Sequence, residues 1–161
     1  MKNVRIGILM GSKTDLETLQ ETAKILKEFD VPFEMKVLSA HRTPKETAQY
    51  AEKAVGKGIE VLICGAGGSA ALAGVVAAHT PLPVIGVPID STSLSGIDSL
   101  LSTAQMPPGV PVACVAVGKM GAKNAALLAL RILALHDKTI GKKLIEYREK
   151  QRQEILKMEL S

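Results

Sequence analysis

Tryptophan is absent from this 161-residue chain, and aromatic residues of all kinds amount to 2% of it. A core therefore has to be aliphatic and alanine-rich, and the stacking platforms that hold single-stranded nucleic acid are missing. Excess charge is lacking too: 20 Lys and Arg stand against 16 Asp and Glu, a net +4 too mild to dictate a nucleic-acid or membrane partner. The two cysteines, Cys64 and Cys114, sit in apolar runs without a CxxC pair or a histidine at ligand spacing. They read as buried reduced thiols, which fits a cytoplasmic protein and argues against a disulfide framework or a metal pair. Residues 1–10 carry an apolar stretch too short for a signal peptide, and it runs directly into a glycine turn. A GxSxG elbow, a P-loop, a paired-carboxylate arrangement and a metal-ligand cluster are all missing. Hydrolysis by a metal or an activated serine is thereby excluded. Chemistry falls to a histidine, an arginine, hydroxyls, one acid and backbone amides.

The composition is otherwise that of a folded protein, 47% hydrophobic and 22% charged, and the length suits a single domain over residues 1–161. Apolar runs of strand length recur at 4–10, 33–38, 59–64, 84–87 and 112–117. Segments with helical spacing lie between them. After the first run, Leu16, Leu19, Ala23, Leu26 and Phe29 mark one face, while Glu17, Gln20, Lys24 and Lys27 mark the other. Helices are also expected over 43–55, with Pro44 in the first turn, and over 94–104 and 122–135. Residues 70–78 are nearly all apolar and predict a buried helix.

Between Val61 and Ile89 there is no Asp, Glu, Lys or Arg. That length could cross a bilayer, but Gly65, Gly67, Gly68, Pro81 and Pro83 divide it into strand, turn, helix, turn and strand. A sheet buried on both faces accounts for the missing charges without lipid. Strand alternating with helix predicts an α/β fold: three layers, α/β/α, with a flavodoxin-like (Rossmann-like) five-stranded parallel sheet and a core over about residues 4–136. Residues 138–160 are strongly charged, with Ile140, Leu144, Ile155 and Leu156 as sparse apolar positions. They read as a C-terminal helical arm, either solvated or packed on a neighbouring subunit.

Ligands of open α/β sheets bind beyond the carboxyl ends of the strands, and three loops there are rich in small and polar groups. The first is Gly11-Ser12-Lys13-Thr14-Asp15, where glycine permits a tight turn and Ser12, Thr14 or Asp15 can cap the next helix. Exposed amides at a helix start also make it a candidate anion site. The second is Ser39-Ala40-His41-Arg42-Thr43-Pro44. Arg42 can bind phosphate or carboxylate bidentately, and histidine is the side chain suited to proton transfer near neutral pH. His79 and His136 lie near helix ends, where a cap role suffices. The third loop, Gly65-Ala66-Gly67-Gly68-Ser69-Ala70, fits GxGxxA, with Asp90 at the end of the next strand. It admits a dinucleotide-binding reading, or simply glycines that let a ligand approach the backbone.

These loops, together with Leu82-Pro-Val-Ile-Gly-Val-Pro88, Gly96-Ile-Asp-Ser-Leu100, Gln105-Met-Pro-Pro-Gly-Val-Pro111 and Asn124-Ala-Ala-Leu-Leu128, resemble the PurE family of purine biosynthesis. The resemblance implies isomerisation of N5-carboxyaminoimidazole ribonucleotide to 4-carboxyaminoimidazole ribonucleotide, without metal or other cofactor, in a homo-octamer. A second branch of the family carboxylates aminoimidazole ribonucleotide directly with CO2. The resemblance makes Ser12, Asp15 and Arg42 nucleotide contacts, with Gly11, Ser39 and Ala40 beside them. It makes His41 the proton-transfer residue and sets loop 65–68, with Gly67, Gly68 and Ser69, against the substrate's base and carboxylate. Across 65–74 the mutase branch usually reads Gly-Ala-Gly-Gly-Ala-Ala-His-Leu-Pro-Gly, whereas this chain has Ser69, Ala71 and Ala73, so a second histidine is missing. A non-enzymatic nucleotide-binding module is the alternative from another class, and it has no use for His41.

Overall fold

The computed structural model describes residues 3–158; Met1, Lys2 and Ser161, with Glu159 and Leu160 of the expected arm, lie outside the described residues. The strands are β1 (Ile6–Met10), β2 (Phe33–Val37), β3 (Val61–Gly67), β4 (Val84–Ile89) and β5 (Ala113–Cys114). They alternate with α1 (Leu16–Glu28), α2 (Pro44–Ala54), α3 (Leu72–Ala78), α4 (Ile97–Ala104) and α5 (Gly118–Ala134), and α6 (Lys138–Leu156) follows. All pairings are parallel, in the order β2-β1-β3-β4-β5. That order is flavodoxin-like, with its switch point between β1 and β3.

Side chains of a strand point alternately to the two faces, and the core divides accordingly. Ile6, Ile8 and Met10 of β1, with Val61 and Ile63 of β3, join the layer made by α1, α5 and α6. Leu9, Leu62 and Cys64 join the other, against Tyr50 and Ala51 of α2 and Leu72, Ala73 and Val76 of α3. With few aromatic residues, close approach replaces bulk. Ala122, Ala125, Ala126 and Ala129 of α5 are fully buried, and the Thr22 hydroxyl donates to the Ala122 carbonyl at 2.7 Å. Among the described residues, no helix is long and apolar enough to cross a membrane.

Three expectations change. Residues 70–78 do not make one buried helix: the segment turns first, α3 starts at Leu72, and only Leu72, Ala73 and Val76 of it are buried. One face lies on the sheet; on the rest, Gly74 lies against the Met106 thioether and Ala78 is exposed. The fifth strand shrinks from 112–117 to two residues, because β5 is an edge strand that meets β4 only at Ile85 and Gly86. Cys64 is buried, but Cys114 on that edge is half-buried. Burial pushes both thiols up.

The first half of the arm packs on the chain's own core, which neither reading included. Asp137 caps α6, accepting from the amides of Thr139 and Ile140 at 3.1 and 3.3 Å while its other oxygen takes Arg5 at 2.8 Å. Ile140, Leu144 and Tyr147 then pack on the chain's own core, with the Tyr147 ring 5.7 Å from that of Phe29. Ile155 and Leu156 are exposed.

Candidate active site

The chain after β1 is held by a reciprocal cap. Ser12 is extended, its hydroxyl accepts from the Thr14 amide at 3.4 Å, and the Asp15 carboxylate accepts from the Ser12 amide at 2.9 Å. This bond turns the side chain of Asp15 inward, to 5% exposure. Burial therefore raises its pKa above the usual carboxylate range, while the Ser12 amide bond and the Arg42 charge pull it partly back. Gly11 does not need a glycine's freedom. It is not among the positive-φ residues, and a Cβ there would meet its nearest neighbour at 3.7 Å.

After β2, the Ser39–Thr43 turn closes on itself. The Ser39 amide donates to Thr43 Oγ1 and the Thr43 amide to the Ser39 carbonyl, each at 2.9 Å. Pro44 then opens α2, where a missing N–H costs nothing. The Ser39 hydroxyl accepts from the Arg42 amide at 3.2 Å, and the Arg42 guanidinium donates to the Gly11 carbonyl at 3.0 Å. Arg42 is thus laid across the first loop, and His41 stands exposed beside it.

After β3, the chain turns through Gly68 and Ala70 at φ of +60° and +32°, with the Ala70 amide on the Gly67 carbonyl at 3.2 Å. Only glycine adopts the first of these without strain.

These loops and the end of β4 enclose a cavity of about 450 Å³. Gly11, Ser12, Asp15, Ser39, Ala40, His41, Arg42 and Gly67, all expected at the site, line it together. Gly68 and Ser69, also expected there, do not: the turn carries Ser69 out to solvent. Thr14, Ala66, Ala70, Ala71, Leu72 and Ser91 complete the wall. Arg42 is its one Lys or Arg among the described residues. A second cavity of about 260 Å³ behind Gly11, Ser12, Ser39 and Arg42 adds Lys13 at the same end. Asp90, the acid that a GxGxxA site needs beside its glycines, does not line this cavity but an adjoining one of about 480 Å³, which shares Thr14, Asp15 and Ser91 with it and adds Lys119. His79 ends α3 and pairs with Glu52 at 3.2 Å, and neither it nor His136 reaches the first cavity.

The family model described as AIR carboxylase matches residues 5–154. The chain belongs to the AIR carboxylase family. It is 58% identical over 145 residues to the N5-carboxyaminoimidazole ribonucleotide mutase of Pyrococcus abyssi, a match spanning 90% of this chain and 82% of that one. To the mutase of Saccharolobus solfataricus it is 53% identical over 156 residues, covering 97% and 98%. Among solved structures, the crystal structure of Treponema denticola PurE superposes with a TM-score of 0.85 at 34% identity, over 94% of this chain and 93% of that one. The matched region contains every loop that lines the cavity.

Proposed function

We propose that this member of the AIR carboxylase family isomerises N5-carboxyaminoimidazole ribonucleotide to 4-carboxyaminoimidazole ribonucleotide, a step of purine biosynthesis. The observation that carries the reading is the convergence of Arg42, Asp15 and His41 on one cavity at the switch point of the sheet. The substrate's phosphate lies at the cationic end, on Arg42, Ser12 and Ser39, where charge-assisted hydrogen bonds are strongest. Asp15 accepts the ribose hydroxyls. The base points toward Gly67 and Ala71, whose small side chains let a flat ring approach the backbone. Relatives named for this reaction support the reading, as do the cationic and hydroxyl groups that line a cavity of about 450 Å³.

In the first step the bond from the N5 nitrogen to the carboxyl carbon breaks. Its electron pair stays on nitrogen, which takes a proton from His41, and CO2 is released into the cavity. In the second step the electron-rich C4 attacks that CO2 and the new carbon–carbon bond forms. The C4 proton then returns to His41 and aromaticity is restored. One proton is given and one taken, so a single histidine serves both transfers. Walls of Ala66, Ala70, Ala71 and Leu72 keep water from the CO2 between the steps. The same reading makes the protein a cytoplasmic homo-octamer that uses no cofactor. Exposed Ile97 and Leu101, four residues apart on α4, form a face that such an assembly covers.

Ala71 favours one second reading. A methyl group lines the cavity where the mutase branch carries an imidazole, so direct carboxylation of aminoimidazole ribonucleotide by CO2 is the competing reaction. Each ribonucleotide is offered separately, with and without bicarbonate, and the 4-carboxy product is followed. Isomerisation requires product from the N5-carboxy compound without bicarbonate, faster than from the uncarboxylated one at low bicarbonate. The reverse ranking establishes the carboxylase, and no product from either substrate defeats both.

A further inference from the structure

We infer that Ser91 holds the reacting end of the substrate, its hydroxyl donating to the carboxylate that the reaction places on C4. This rests on the isomerase reading and adds a residue to it.

The sheet fixes the order of the groups around the cavity. Arg42 lies beyond β2, Ser12 and Asp15 beyond β1, Gly67 at the end of β3, and Ser91 beyond β4, in the strand order β2-β1-β3-β4. Neighbouring strands are about 4.8 Å apart, so three spacings set Arg42 and Ser91 roughly 14 Å from each other. A ribonucleotide whose phosphate sits on Arg42 therefore presents its base, and the carboxylate on that base, toward Gly67 and Ser91.

Ser91 differs from the other hydroxyls of these loops. The hydroxyl oxygens of Ser12, Thr14, Ser39 and Thr43 all bond within their own turns, those of Ser12 and Ser39 as acceptors that keep a proton for a ligand at the far end of the cavity. The Ser91 hydroxyl has no hydrogen-bond partner among the described residues, although it lines the cavity. It is also closely placed. A Cβ added at Gly67 would lie 1.9 Å from Ser91 Oγ and 3.0 Å from its Cβ, so the serine rests on the bare backbone of the loop proposed to face the base. The side chain is exposed, and its donor, left unpaired by the protein, has its bond free for a ligand that takes the place of water. A hydroxyl is also the suitable group here. It binds an anion without the net charge that would trap the product.

The test separates the two ends of the substrate. Ser91→Ala should weaken binding of the 4-carboxy ribonucleotide about 10- to 100-fold in calorimetric titration, the range for a hydrogen bond to a charged group. It should leave the affinity for ribose 5-phosphate, which reaches only the Arg42 and Asp15 end, within about twofold of wild type. Ser91→Cys keeps a side chain of similar shape with a poor donor and should show the same split, which guards against misfolding of the alanine variant. Equal affinity of both variants and wild type for the 4-carboxy compound would overturn the role of Ser91 while leaving the isomerase reading intact. A parallel loss for ribose 5-phosphate would overturn it too, by exposing a general disturbance of the site. A wild-type protein that interconverts neither ribonucleotide removes the functional reading itself, and the inference with it.

Discussion

Under the proposed function Asp15 has two duties that pull its chemistry in opposite directions, and a pair of substitutions separates them. As a cap, it needs only an oxygen to accept the Ser12 amide at 2.9 Å. As the acceptor of ribose hydroxyls, it works best as a carboxylate. Asp15→Asn keeps the first oxygen and discards the charge, whereas Asp15→Ala discards both. Loss of a capping bond costs about 1 kcal/mol, and in a chain of this size that corresponds to a melting temperature lower by about 2–4 °C. The alanine variant should therefore melt that far below the asparagine variant.

Burial holds the Asp15 carboxyl above its usual range, so its folded pKa exceeds its unfolded one. Folding then favours the protonated acid. That contribution is complete below the unfolded carboxyl pKa and is lost as pH rises through the folded value. At pH 7 the wild type bears a buried charge that the asparagine variant lacks, so Asp15→Asn should melt at or above wild type. As pH falls through the carboxyl range, wild type should gain on the asparagine variant. Both substitutions should weaken ribose 5-phosphate binding about 10- to 100-fold, because a charged acceptor is lost. Thermal melts across pH and calorimetry at pH 7 check all of this. An asparagine variant as unstable at pH 7 as the alanine variant, or one that binds with undiminished affinity, refutes the double role.

His41→Asn should lower kcat by about 10²–10⁴ and leave ribose 5-phosphate affinity unchanged, since the imidazole moves protons and does not hold the phosphate; a variant keeping more than half of wild-type turnover sinks that assignment. Arg42→Ala should weaken ribose 5-phosphate about 10- to 100-fold. It should also raise the Asp15 pKa further, because the guanidinium charge now lowers it, and titration of the carboxyl by NMR is expected to show that shift. Gly86→Ala should cost about 1–3 kcal/mol by overpacking, since its Cβ would fall 2.2 Å from the Thr103 methyl and 3.0 Å from Val112; a melt unchanged from wild type contradicts the packing described.

Most of the frame was legible in the sequence, because β1, β3 and β4 are buried and their neighbours are helical. Val84–Ile89, buried at every position, cannot be mistaken for a surface segment. β5 was not legible at its true length: an edge strand has one pairing side, and residues 112–117 stay apolar after the pairing stops. α3 misleads for a related reason, as apolar composition does not say which neighbour covers which face. At the site, the three loops were legible as glycine and hydroxyl clusters at strand ends. Ser69 was drawn in by adjacency to glycine, while the positive φ of Gly68 and Ala70, which takes it away from the cavity, leaves no mark on a motif. Ser91 escaped because one hydroxyl in the run Ser91-Thr92-Ser93 looks like any other. The rule that ligands sit beyond strand ends would have reached it through β4.

The difficulty in reading such a site is that its local and ligand-binding roles fall on the same atoms. Ser12 and Asp15 look like a helix cap, and they are one. Ser39 and Thr43 look like a closed turn, and they are one. The alternatives do not compete. A cap points its carboxylate inward, and at the switch point of the sheet inward is toward the cavity. A closed turn fixes the residues at its tip, and here those are His41 and Arg42. The turns do the positioning, so the side chains that meet the ligand need few supports of their own. Arg42 has the Ser39 hydroxyl at 3.5 Å and the Gly11 carbonyl at 3.0 Å, and through the second its loop is tied to the first loop. A substitution that opens either turn should therefore disturb binding without touching a ligand-contacting atom. Thr43→Val is the cleanest such case, since it removes the hydroxyl that closes the Ser39 turn and keeps the shape.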